Sequence, residues 1–210
     1  MKETLKTSDN KNVLLVLSAP SGAGKTTIAR RLLQKNKNYS LSISCTTRLP
    51  RDNEKDGLDY YFLDEEKFFK KVDSGNMLEW AEVHNNYYGT PVSEVERLKK
   101  KGEDIIFDID IQGGMNIKEK YPKSAVLVFI LTSTKEELQK RLENRGTESP
   151  KNIEKRLKNA QKEVNIAMRN YDYFVVNNRI EQAVEDIECI VSSHKKKYHF
   201  QKEVFEKWKK

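Results

Sequence analysis

The chain has 210 residues, 34% of them charged, and its 39 Lys and Arg exceed its 32 Asp and Glu to leave a net charge of +7. At roughly 150 residues per domain this is one domain, or one with a subdomain, long enough to hide about 70% of its unfolded surface. The longest clean apolar run, Ala125 to Leu131, falls far short of the roughly 18 residues of a membrane span, and Met1 to Asn12 lacks the apolar stretch of a secretory leader, so a cytoplasmic protein is expected.

Val13 to Leu17 is a short apolar run that ends in a glycine-rich turn, and an Arg- and Leu-rich helical stretch follows from Thr26 to about Gln34. Strand, glycine turn, helix is the order of an α/β nucleotide-binding unit. A β-type run follows at Tyr39 to Ser44. Residues 45–92 then break the pattern with Pro50, Gly57, Gly75, Gly89 and Pro91, and with Tyr60, Tyr61, Trp80, Tyr87 and Tyr88. They predict a small inserted subdomain of short strands with one helix around Glu65 to Lys71. Beyond it, helical patterns at Ser93 to Lys101, Met115 to Lys120, Thr134 to Asn144, Pro150 to Met168 and Ile180 to Lys197 alternate with apolar runs at Asp104 to Ile109, Val126 to Leu131 and Tyr173 to Val176. The alternation predicts a parallel sheet covered on both faces. The basic tail from His194 predicts a charged final helix that packs Tyr198, Phe205 and Trp208, rather than a nucleic-acid patch.

The segment Ala19-Pro20-Ser21-Gly22-Ala23-Gly24-Lys25-Thr26 follows G-x-x-x-x-G-K-[ST], with Ala19 at the first glycine position. Gly22 and Gly24 let backbone N–H groups close around phosphate oxygens, and the helix that starts here aims its N-terminus at the same anion. Lys25 supplies a point charge for the β/γ-phosphates and Thr26 a hydroxyl ligand for Mg²⁺. Asp108, at the end of the run Ile105-Ile106-Phe107, suits the acid that holds magnesium through water. The blander reading is a glycine turn capping a helix. The buried strand ahead of it and the Lys-Thr pair behind it favour a nucleoside triphosphate site. Cys45 and Cys189 lack C-x-x-C spacing, and His84, His194 and His199 lack ligand spacing, so neither disulfide framework nor zinc site is expected.

Further motifs, in order, resemble those of the guanylate kinase family from about Val13 to Asn178. Ser44-Cys45-Thr46-Thr47-Arg48-Leu49-Pro50-Arg51 is similar to its S-x-T-T-R-x-P-R stretch, and Gly57-Leu58-Asp59-Tyr60-Tyr61-Phe62 to its G-x-x-Y-x-F segment. Glu79-Trp80-Ala81-Glu82 and Asn86-Tyr87-Tyr88-Gly89-Thr90 resemble its monophosphate-binding hairpin. Asp108-Ile109-Asp110-Ile111-Gln112-Gly113 resembles D-I-D-x-Q-G, while Arg141 to Gly146 and Arg156 resemble its mobile lid.

The resemblance implies one α/β domain over 1–210, with a P-loop-type parallel sheet flanked by helices. Its core would be 12–44, 93–140 and 170–210, with a mixed-β GMP-binding insert at 45–92 and a helical lid at 141–169. It implies Mg²⁺-dependent transfer of the ATP γ-phosphoryl group to GMP in purine nucleotide metabolism. Lys25, Arg51, Arg145 and Arg156 would be catalytic. ATP would meet Pro20, Ser21, Gly22, Ala23, Gly24, Lys25, Thr26 and Thr27, with Arg141 and Asn177 on the donor side. Arg141 also suits a plain ion pair with Glu137 at i−4. Arg48, Arg51, Tyr60 and Tyr88 would grip the GMP phosphate, since paired guanidinium forks and hydroxyls match a dianion. Glu79 and Asp110 would accept from guanine N1–H and its amine, and Ser44 would donate to O6 with Thr90 assisting. AMP would leave two carboxylates unpaired, and such sites reject a mismatched analogue by up to ~10⁴. Asn178 stands where the family is often acidic. The expected partners are ATP and GMP, with no nucleic acid and no membrane, in a monomer or homodimer. Two rival readings stand beside it: a scaffold module that keeps the fold and binds phosphopeptides in the GMP groove, and a P-loop kinase for another acceptor that shares the donor half. Retention of Gly22, Gly24, Lys25 and Thr26 disfavours the first; Ser44, Glu79 and Asp110 discriminate the second.

Overall fold

A computed structural model describes residues 12–83, 85–144 and 149–209. The first apolar run forms β1 (Leu14–Ser18), all five residues buried. The chain turns through the glycines into α1 (Lys25–Lys35). The next run is split. β2 (Tyr39–Leu41) ends after the Ser42 N–H donates to the Ile106 carbonyl, and the following residues leave for a second sheet, where Cys45 and Thr46 form β3 (Cys45–Thr46). The expected strand to Ser44 is therefore shorter by three residues. The insert continues with β4 (Tyr61–Phe62), α2 (Glu65–Asp73), β5 (Met77–Val83) and β6 (Asn86–Pro91). Asp64 caps α2 by accepting from the Lys67 N–H, which supplies one of the donors that every helix start leaves unpaired. The chain then runs through α3 (Val92–Lys101) and β7 (Asp104–Asp108) to α4 (Ile111–Lys120).

Helix α4 begins four residues before the expected Met115, because Asp110 caps it at the Gly113 N–H and the two glycines are accommodated inside it. Close packing requires them: a Cβ on Gly113 would lie 2.6 Å from Glu79 Oε2, and one on Gly114 2.4 Å from the Tyr171 hydroxyl. The remaining elements are β8 (Ala125–Leu131), α5 (Lys135–Glu143), α6 (Pro150–Asn170), β9 (Tyr173–Val176), α7 (Ile180–His194) and α8 (Tyr198–Trp208). Helix α7 stops at His194, three residues before the expected end, where Lys195, Lys196 and Lys197 make the turn into α8. The final helix forms, but not all of its aromatics pack: Phe205 is 47% and Trp208 86% exposed, while Phe200 lies against the core, and the Tyr198 side chain lies outside the described residues.

The main sheet is parallel throughout, in the order β2-β7-β1-β8-β9. Side-chain alternation along β1 divides the interior in two. Val13, Leu15 and Leu17 join α1, α5, α7 and the first half of α6 (Ile153, Leu157, Ala160). Leu14 and Val16 join α3, α4 and the last turn of α6 (Ala167). Helix α6 therefore starts over one face of the sheet and ends over the other. The second sheet, β4-β3-β6-β5, is mixed and packs Phe68 of α2 beneath it. In such sheets ligands sit at the C-terminal ends of strands beside the order reversal. Here that point is the end of β1, between β7 and β8, and the small sheet stands next to it. Among the described residues no helix is long and apolar enough to cross a membrane.

Candidate active site

The turn after β1 is built around backbone donors. Gly22 and Gly24 have φ of 97° and 96°, where a side chain is strained. Helix α1 opens from Gly24 with no side-chain cap, so its first N–H groups are left for an anion. The Lys25 ammonium lies 2.7 Å from Asp108 Oδ1 and donates to the Ile109 carbonyl at 2.9 Å. The Thr26 hydroxyl donates to Asp108 Oδ2 at 3.0 Å. Strand β7 thus delivers its terminal carboxylate to the two residues that close the glycine turn.

Two residues expected on the donor side, Asn177 and Arg141, and one expected at the transferring group, Arg156, brace the back of the turn. Asn177, 3% exposed, donates its side-chain amide N–H to the Ala23 carbonyl at 2.8 Å, and its backbone carbonyl accepts from the Arg141 guanidinium at 2.8 Å. Arg141 is also paired with Glu137 at 2.9 Å, the i−4 alternative. The Arg156 guanidinium donates to the Ser21 hydroxyl, so the first half of α6 rests on the loop. A Cβ at Gly24 would stand 2.4 Å from the Asn177 amide nitrogen. Gly24→Ala is therefore expected to lower stability by about 1–3 kcal/mol, from positive-φ strain and loss of the Asn177 strut. Urea unfolding reads this directly, and an unchanged midpoint would remove the strut.

Across the cleft stand two carboxyls, one from the small sheet and one from the residue that caps α4. Glu79 on β5 accepts from the Thr90 hydroxyl on β6 at 2.6 Å, and Asp110 accepts from the Gly113 N–H at 2.8 Å. Burial, with the Asp110 charge adding to it, pushes the Glu79 carboxyl up to about 7. Thr90 is fully buried behind Glu79 and orients it rather than facing the cleft. Tyr60 and Tyr88 stand edge to face with ring centres 5.9 Å apart, and burial raises the Tyr60 phenol, which keeps it a proton donor.

One cavity of about 250 Å³ joins the two halves. It is lined on one side by Lys25, Thr26 and Asp108, and on the other by Ser44, Tyr60, Glu79, Tyr88 and Asp110. Arg48 and Arg51 do not line it. Both oxygens of Glu54 hold Arg48, at 2.8 and 2.9 Å, and the Arg51 side chain is exposed beside them. Arg145 lies outside the described residues, as does His84.

Two carboxyls in and beside the site, Glu54 and Glu163, carry no motif in the sequence. Glu54 is the acid that occupies Arg48 in this state. Glu163, half-buried on α6 two turns after Arg156, faces Lys25 and Asp110, and burial first, with the Asp110 charge, raises its carboxyl to about 7. Its helix carries so many charged residues that one more Glu gives no signal. The only clue is its spacing: Arg156, Ala160, Glu163 and Ala167 follow one helical face.

Comparisons with known proteins agree with this geometry. The family model described as guanylate kinase matches residues 11–194. A guanylate kinase of Clostridium perfringens (strain 13 / Type A) is 46% identical over 187 residues, which cover 89% of this chain and 86% of that protein. One of Clostridioides difficile (strain 630) is 42% identical over 200 residues, covering 95% and 97%. The crystal structure of guanylate kinase from Anaplasma phagocytophilum superposes with a TM-score of 0.73 at 35% identity, covering 91% of this chain and 92% of that one. With the phosphate turn, the paired carboxyls and the small second sheet in place, the chain belongs to the guanylate kinase family.

Proposed function

We infer that the chain is a nucleoside monophosphate kinase that moves the γ-phosphoryl group of ATP to GMP, giving ADP and GDP. The observation that carries this reading is the shared cavity, with a phosphate turn on one wall and two guanine-suited carboxyls on the other.

In this reading backbone N–H groups between Ser21 and Thr27 cradle the ATP phosphates, and Pro20, which has no N–H, shapes the turn by accepting from the Ala23 N–H. Lys25 leaves Asp108 for the β/γ-oxygens, a move of a cation already in the cavity. Arg51, Arg145 and Arg156 surround the transferring group, and Arg48 exchanges Glu54 for the GMP phosphate with Tyr60 and Tyr88. Glu79 and Asp110 accept from guanine N1–H and the amine, and Ser44 donates to O6. An oxygen of the GMP phosphate attacks Pγ, the bond from Pγ to the bridging oxygen breaks, and ADP leaves. Such transfer needs positioning and neutralised charge rather than a covalent enzyme intermediate. Arg141 and Asn177 support this reading of the donor side through the loop they brace, not through a free side chain aimed at adenine. The division into core, acceptor insert at 45–92 and lid at 141–169 follows the same reading, and closure would exclude water from the transfer. We place the protein in the cytoplasm, as a monomer or homodimer.

Magnesium fits the residues present. Thr26 and Asp108 offer a hydroxyl and a carboxylate, hard oxygen donors, and no cluster of three or more His, Cys, Asp or Glu forms a closed cage among the described residues. That suits an ion held by one or two protein oxygens, phosphates and water. Thr26 would bind it directly and Asp108 through water, and when bound it neutralises charge on the β- and γ-oxygens.

A coupled ADP-release assay with ATP and Mg²⁺, offering GMP, AMP, CMP and UMP in parallel, tests the reading. Turnover is expected with GMP and at most about 10⁻² of that rate with the others. A better rate with another acceptor would retain the kinase and discard the guanine assignment.

A further inference from the structure

Helix α8 is not used by any part of the reaction, and it lies beyond residue 194, where the family match ends. Its attachment fixes where it sits. His194, at the end of α7, is buried and hydrogen-bonded through Nε2 to the Lys123 carbonyl just ahead of β8, and Lys195 pairs with Asp104 at the start of β7. Phe200 packs on the core next to them. These are the N-terminal ends of the parallel strands, the end opposite the cavity.

From its second turn the helix faces solvent with apolar side chains. Val204 is 51%, Phe205 47% and Trp208 86% exposed. At 3.6 residues per turn Val204 and Trp208 stack at i and i+4, with Phe205 beside them, on the side continuous with Phe200. The charges are sorted around this stripe. Lys202 and Lys209 border it on one side and Lys207 on the other, while Glu203 and Glu206 fall on the back of the helix. From 195 to 210 the sequence has seven lysines, two glutamates and no arginine.

An aromatic and aliphatic stripe edged by lysines, with acids on the far side, is the pattern of a helix that lies in a bilayer interface. Its lysine stems run along the apolar boundary and their ammonium groups reach headgroup phosphates. We propose that α8 docks the protein on membrane surfaces bearing anionic lipid headgroups. Other partners fit less well. Nucleic-acid sites favour arginine forks, which the segment lacks, and gain nothing from an exposed valine. A second copy of the helix would bring the bordering lysines against their equivalents. This revises the expectation that the chain has no membrane partner, without a membrane-crossing segment. Because α8 sits at the strand ends remote from the cavity, docking leaves the cleft open to solvent.

The test is co-sedimentation of the full chain with vesicles of phosphatidylcholine containing roughly one-third phosphatidylglycerol, beside vesicles of phosphatidylcholine alone, at about 0.1 M salt. Binding to the anionic vesicles is expected to be at least ~10-fold stronger than to neutral ones. It should fall by ~10-fold in Trp208→Ala and again in Lys202→Gln/Lys207→Gln/Lys209→Gln, with kinase rate in solution unchanged in both. Equal binding to both vesicle types, or to neither, would overturn the proposal. So would retention of binding by both variants, binding of a single-stranded RNA oligonucleotide in place of vesicles, or a Trp208-dependent dimer that ignores lipid.

Discussion

Lys25→Ala is expected to reduce kcat by ~10² or more while the protein stays folded. The ammonium is 2.7 Å from Asp108, at the mouth of the glycine turn, and about a fifth exposed. A preorganised cation at the point where charge develops contributes far more in a water-poor cleft than it would in solvent. Removing it leaves Asp108 with the Thr26 hydroxyl as partner, so the carboxylate is not orphaned and the stability change should stay within about 1 kcal/mol. Steady-state kinetics alongside a melting curve separate the two effects. A near-wild-type kcat would remove Lys25 from the reaction. A collapsed melting temperature would instead make its role structural.

Glu79→Gln carries the second large effect, and it runs in opposite directions for function and stability. In place of an acceptor for guanine N1–H, the amide can present an N–H of its own, and kcat/KM for GMP should fall by ~10² to 10³, about 3–4 kcal/mol. KM for ATP should stay within a few-fold. The unliganded protein, by contrast, should become more stable at alkaline pH. The carboxyl's pKa rises from 4.5 unfolded to about 7 folded. Stability from the protonated form is therefore complete below pH 4.5 and is lost as pH rises through 7, at up to about 3 kcal/mol by pH 8. Glutamine does not ionise and keeps the size. The variant should match wild type near pH 5 and exceed it near pH 8 in denaturant titrations. Equal stability at pH 8 would mean that Glu79 is not held against its charge. Glu163 shifts in the same direction, so some pH dependence will remain in the variant.

The two halves of the molecule were unequally legible. The phosphate turn and its flanks could be read. The apolar run, glycine turn and Lys-Thr pair specify a strand, a loop and a helix within fourteen consecutive residues, Leu14 to Thr27, and strand β9 matches its expected bounds. Long-range pairings could not be read. Nothing at Asn177 announces that its amide holds the Ala23 carbonyl across 154 positions, since an asparagine after a strand suits a turn, a cap or a ligand equally. The Arg48–Glu54 pair hides among the charges of an insert whose order is set by a second sheet. In residues 45–92 the break in alternation and helix α2 could be read, but the individual short strands could not: strands of two residues such as β3 and β4 lack a period to detect and exist because neighbouring strands pair with them. In the tail, helical spacing predicted α8 but not its placement. Periodicity says which residues share a face, and only the docking of His194 and Phe200 decides that the next turn of that face has no core to meet.

Helix α6 works mechanically as a crossbar. Its first half is seated in one hydrophobic layer and its end in the other, with Arg156 on the phosphate loop and Glu163 toward Lys25 and Asp110 between those seats. A rod seated at both ends fixes the separation of the groups it carries, so Arg156 and Glu163 keep their spacing over the cleft. Phase matters as much as stiffness. A single residue inserted between Arg156 and Glu163 would rotate one end by roughly 100° against the other. Substitutions on the outer face of this helix leave that phase intact, whereas its length between those two side chains sets where each meets the cleft.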